Sequence, residues 1–115
     1  MENEIVNITL RCPIRTTLEL LGGKWKLLIL FQLSNSIFRL SELKRQIPDI
    51  SEKMLIQELK TLIDSNLVKR INFGEVPPRV EYEITEIGLK VLPLIAEMRN
   101  FAFAYENYQK PLLGA

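Results

Sequence analysis

The sequence holds no histidine and a single cysteine, and its charges almost cancel. Each shortage excludes something. Without histidine, Cys12 alone leaves too few soft ligands for a zinc site and no partner for an internal disulfide, so a reducing compartment is the natural one. The usual players of nucleophilic or general-base catalysis are missing, as is a glycine-rich phosphate loop, so neither an enzyme nor a bound cofactor or metal is expected. Fifteen basic residues against fourteen acidic ones give a net charge of +1, and any polyanion-binding surface must come from local placement. No apolar run approaches the roughly 18 residues of a membrane span, and MENEIVNITLRCPIR lacks the pattern of a signal peptide. The expectation is a cytoplasmic protein without a membrane partner.

What is present suits one folded unit. A chain of 115 residues, 47% hydrophobic and 25% charged, is expected to form a single domain over 1–115. It divides into an N-terminal arm (1–11), a block of helices and a hairpin (12–84), and a C-terminal helix (85–108).

Pro13 suits the first turn of a short helix carrying Ile14, Leu18 and Leu21, ended by Gly22-Gly23. From about Lys24 to Leu33 the sequence is apolar nearly all round, the mark of a helix buried on most sides. Phe38-Arg39-Leu40 reads as a short extended segment, and Ser41 opens a third helix that stops at Pro48.

Ser51 to Asn66 is the most informative stretch. On a helical wheel Leu55, Leu59, Leu62 and Ile63 share one side with Ile56 at its margin, while Lys53, Met54, Gln57 and Thr61 gather opposite. Ser51 is a good N-cap, and Asn66 tolerates the left-handed conformation that closes a helix. Leu67–Asn72 and Arg79–Ile84 alternate apolar and polar residues around Phe73-Gly74-Glu75-Val76-Pro77-Pro78, which predicts a β-hairpin. Thr85 then caps a helix to about Tyr108, where Ile87, Val91, Leu94, Met98, Phe101, Tyr105 and Tyr108 recur with the 3.5-residue period of a helix–helix seam. Pro93 inside it predicts a kink or a break.

The order of elements predicts an α+β, mostly helical fold: a winged helix-turn-helix with a β-hairpin wing and a long C-terminal dimerisation helix. The motifs Cys12-Pro13, Gly22-Gly23-Lys24-Trp25, Arg39-Leu40-Ser41-Glu42-Leu43, Ile50-Ser51-Glu52-Lys53-Met54-Leu55, Val76-Pro77-Pro78-Arg79-Val80-Glu81-Tyr82 and Thr85-Glu86-Ile87-Gly88 resemble the HxlR-type transcriptional regulators, a branch of the MarR-like winged-helix proteins. The resemblance spans about Cys12 to Phe101. It implies a homodimer on a near-palindromic operator in double-stranded DNA, with repression as the default outcome. It also implies sensing of oxidants or electrophiles through a cysteine at the position of Cys12, whose neighbours Arg11 and Arg15 favour a thiolate. A buried, inert cysteine is the plainer alternative.

Chemistry then assigns roles. Lys53 suits a phosphate or a guanine edge, Gln57 an adenine, Met54 and Thr61 a thymine methyl, and Ser51 a phosphate at the helix N-terminus. Arg39, Ser41, Lys44 and Lys60 are candidate backbone clamps, and Arg79 is the main wing contact with Lys69 and Arg70 in support. The seam residues Ile87, Val91, Leu94, Met98, Phe101, Tyr105 and Tyr108 form the candidate dimer interface. Trp25, Phe31, Phe101, Phe103 and Tyr105 could line a small-molecule effector pocket, although core packing is the commoner meaning of such aromatics. Glu58 departs from the family pattern, which carries a basic residue there, and over residues 39–60 the net charge is only +1. That weak charge favours the rival reading, a winged-helix protein-interaction module.

Overall fold

The computed structural model describes the backbone of residues 12–113 and the side chains of residues 12–109. The expected arm over 1–11, with Arg11, lies outside the described residues. Among the described residues eight elements follow in order: α1 (Pro13–Leu21), α2 (Lys26–Leu33), α3 (Leu40–Gln46), α4 (Glu52–Asp64), β1 (Val68–Asn72), β2 (Val80–Ile84), α5 (Glu86–Leu89) and α6 (Leu92–Leu113). Helices α3 and α4 are the helix-turn-helix, and β1 and β2 are the wing.

Helix α4 forms where its local chemistry dictates. Ser51 caps it, its Oγ accepting from the Met54 N–H at 3.1 Å. At the other end Asn66 adopts φ 63°, and the N–H groups of Asn66 and Leu67 donate back to the carbonyls of Ile63 and Leu62. Between the caps Leu55, Leu59 and Leu62 are fully buried, each worth about 1.5–3 kcal/mol on transfer from water. They pack with Ile29, Leu30 and Leu33 of α2, Leu43 of α3, Ile47, Ile50, and Leu67 and Val68 at the hairpin base.

The strands pair antiparallel, with Val68 opposite Ile84 and Asn72 opposite Val80. Phe38 adds a bridge to Tyr82, N–H to carbonyl in both directions at 3.1 and 2.8 Å. The extended segment expected at Phe38–Leu40 shrinks to this bridge, because Leu40 already begins α3. The start of α2 moves from Lys24 to Lys26, since Gly23 takes φ 97° and delays the helix.

The expected break near Pro93 occurs just before it. Thr85 caps the single turn α5 through a hydrogen bond from the Gly88 N–H, and its own hydroxyl donates to the Asn66 carbonyl at 2.6 Å. Pro93 then falls in the first turn of α6, where its missing N–H removes no intrahelical bond. Helix α6 continues past Tyr108 to Leu113, in a sequence with no glycine after Gly88 until Gly114.

Two apolar stripes do not meet the core. On α1, Leu21 is buried but Ile14 is 72% and Leu18 63% exposed. Of the predicted seam, Val91 is only 9% exposed and packs in the chain's own core, whereas Phe101 and Tyr108 are both 70% exposed. Val91 therefore leaves the candidate dimer interface. It sits at the junction before α6, where the chain still hugs the domain; Ile87, Leu94, Met98, Phe101, Tyr105 and Tyr108 stay on the surface.

Candidate nucleic-acid interface

The solvent side of α4 presents Lys53, Gln57, Lys60 and Thr61, all exposed, with Ser51 at its N-terminus. The Thr61 hydroxyl donates to the Gln57 carbonyl at 3.1 Å. Met54 is half-buried against the core, so only part of it shares this face. The Ser51 oxygen is occupied by the Met54 N–H, but its own hydrogen is available to an acceptor.

Around this face the expected clamps differ in freedom. Arg39 and Ser41 are exposed at the start of α3, where the Arg39 N–H donates to Glu42 at 2.8 Å. Lys44 is half-buried, its ammonium donating to the Pro48 carbonyl at 3.0 Å, so it ties the α3–α4 turn together. Lys60 and Arg70 come together across α4 and β1, rimming a shallow groove floored by Ile56, Ile63 and Tyr82.

The wing divides its cations unexpectedly. Arg79 stacks on Phe73, 4.3 Å from the ring centroid, and pairs with Glu75 at 3.4 Å and Glu81 at 3.2 Å. Lys69 pairs with Glu83, its direct cross-strand partner, at 3.2 Å. Arg79 is thus organised to hold the turn, and among the described residues Arg70 is the wing cation without a salt bridge. Sequence ranked them in the other order because it weighed charge without the neighbouring carboxylates.

Glu58, an acidic residue of α4, is turned inward. Its Oε1 lies 2.8 Å from Lys26 Nζ on α2, with the two side chains only 17% and 15% exposed. That oxygen is buried and has no aligned hydrogen bond, so the ammonium meets it as a charge. Lys26 was not singled out in the sequence; the only signal was the oddity of Glu58.

The model of the HxlR-like helix-turn-helix family matches residues 20–110. The chain belongs to the HxlR-like family. Its relative YkvN of Bacillus subtilis, an uncharacterized HTH-type transcriptional regulator, is 49% identical over 98 residues, covering 85% of this chain and 83% of YkvN. A MarR-family transcriptional regulator from Porphyromonas gingivalis is similar in structure, with TM-score 0.75 and 53% identity, covering 80% of this chain and 90% of that one. The redox regulator HypR in its oxidized form gives TM-score 0.74 at 33% identity, covering 81% and 96%. The protein is a transcriptional regulator of helix-turn-helix type and not an enzyme, with the winged fold of its MarR-like neighbours.

In this HxlR-like chain Cys12 stands at the N-terminus of α1, partly exposed. The backbone N–H of Arg15, then that of Ile14, holds its thiol below the ordinary value; partial burial opposes them, and the Arg15 guanidinium adds a smaller pull downward. The thiolate is therefore favoured in the folded chain and persists to lower pH than in the unfolded one. Alkylation by iodoacetamide should show a rate midpoint at lower pH in buffer than in denaturing urea; coincident midpoints would contradict this assignment.

Trp25, Phe31, Phe101, Phe103 and Tyr105, which could have lined an effector pocket, do not share one among the described residues. Trp25 packs on the core under Lys24, Phe31 is half-buried near Arg99, and the other three are exposed along α6. The groove of about 520 Å³ is lined by aliphatic residues instead, among them Ile14, Leu18, Leu27, Leu94 and Met98. No helix of the described residues is long and apolar enough to cross a membrane.

Proposed function

We propose that this regulator acts as a homodimer that represses transcription by reading a near-palindromic DNA operator, one α4 helix in each of two successive major grooves. The observation that carries the reading is the outward face of α4. A rigid helix, fixed by Ser51 and Asn66 at its ends and by three leucines behind, holds Lys53, Gln57 and Thr61 where base edges would lie. Lys60 and Arg70 supply backbone contacts, with Arg39, Ser41 and Ser51 at the other flank; Lys44 and Arg79 hold their turns, Lys69 is paired across the strands, and the three contribute less. The aliphatic groove beside α1 and the exposed stripe of α6 supply the apolar area for pairing two copies, which also delivers the two reading helices a palindrome requires.

Cys12 is the proposed sensor of oxidants or electrophiles. Its lowered thiol pKa and its place as the N-cap of α1, the helix whose Pro13 and Ile14 line the groove, support this role, as does the likeness to the redox regulator HypR.

The test is binding to labelled fragments flanking the protein's own gene, titrated against salt and scrambled competitor. Specific retention with two protomers per site is expected, lost on mild oxidation of the native protein but kept by Cys12→Ser. Equal retention of scrambled DNA, vanishing at physiological salt, would move the function to a protein partner. The paired wing cations Lys69 and Arg79 are the feature that favours that second reading.

A further inference from the structure

We infer that Lys26, on the core helix and away from the reading face, is a positioning residue for DNA binding: it neutralises Glu58 and holds that carboxylate away from the phosphates. The inference rests on the DNA-reading role of α4 proposed above.

Glu58 follows Met54 by four residues and precedes Thr61 by three, so on the helix surface it shares a stripe with two residues of the proposed reading face. A free carboxylate there would face the backbone of any duplex seated on α4, and like-charge juxtaposition opposes binding. The structure removes it from that position. Lys26 Nζ lies 2.8 Å from Oε1, both side chains are mostly covered, and Oε1 has no other polar partner among the described residues. The pair is local and private: Lys26 opens α2, where the helix dipole disfavours a cation, and Glu58 is the compensating charge. Lys26 is mostly covered and its ammonium is spent on Glu58, so its effect on binding passes through that carboxylate.

A purely structural strut makes a different prediction from a charge mask. In a strut, removing either partner, or both, weakens binding alike. In a mask, only the variant that leaves Glu58 charged and unpaired is impaired.

The experiment compares native protein with Lys26→Met, Glu58→Gln and the double variant on operator and scrambled duplexes across a salt series. Lys26→Met should bind both duplexes about tenfold more weakly at low salt, with a shallower salt dependence, because one backbone charge contact is cancelled. The double variant should return to within about twofold of native affinity, since an uncharged pair exerts no field. Glu58→Gln alone should bind within about twofold of the native protein and with the native salt dependence, since no phosphate contact is gained or lost; this arm decides the matter if Lys26→Met does not fold. Native-like binding by Lys26→Met, a double variant as weak as Lys26→Met, or weakened binding by Glu58→Gln would each overturn the inference while leaving the reading role of α4 intact. Failure of the native protein to prefer any operator would overturn that role, and the inference with it.

Discussion

Replacing Lys53 and Gln57 together by alanine is expected to cost at least about a hundredfold in operator affinity, while affinity for scrambled DNA falls only a few-fold. The two side chains stand one helical turn apart on the exposed face of α4. A well-formed base contact is worth about 1–3 kcal/mol of discrimination, so losing two removes most of the difference between cognate and random sequence. Because they are neighbours at i,i+4, their effects need not add, and the double variant is the cleaner test. Alanine is the best helix former and neither residue is buried, so folding is spared. Fluorescence anisotropy on matched cognate and scrambled duplexes, with circular dichroism as the control, measures the ratio directly. A variant that keeps the native ratio would remove α4 from base reading, and the operator contacts would have to be sought elsewhere.

Gly88→Ala carries the largest expected loss of stability. Helix propensity alone predicts a gain of up to about 1 kcal/mol for alanine over glycine. The packing reverses the sign. A Cβ at this position would lie 2.4 Å from the Leu67 carbonyl oxygen and 2.7 Å from Ile84 Cγ1. That carbonyl cannot retreat freely, because it accepts from the Thr85 N–H at 3.1 Å, and Gly88 itself donates to Thr85 Oγ1 at 3.0 Å. Overpacking against fixed backbone costs about 2–3 kcal/mol, enough to lower the melting temperature by roughly 10 °C in a domain of this size. A thermal melt at fixed protein concentration checks it. An unchanged or raised melting temperature would mean that α5 slides away from the hairpin at little cost.

These two predictions show what was legible and what was not. The outward face of α4 was visible because it depends on a wheel: residues three and four apart share a side, and a run of leucines names the buried one. The caps were equally visible, since Ser51 and Asn66 act on backbone groups within a turn of themselves. Gly88 was visible only as part of a family-like motif; the reason for it lies in Leu67 and Ile84, brought beside it by the hairpin. Lys26 gave no sign at all until the fold set it against Glu58. Arg79 looked like the best wing cation and is instead the best-paired one.

The amino-acid sequence by itself determined the elements, their order and the outward residues of α4, because periodicity, capping and proline chemistry are short-range and act wherever those residues stand. Only the tertiary structure decided which charges cancel and which apolar stripes find cover. The Lys26–Glu58 pair, the burial of Val91 and the exposure of Ile14 and Leu18 depend on segments distant in the chain meeting in space. Coulomb attraction and burial follow distance through space, and a local pattern does not encode that distance.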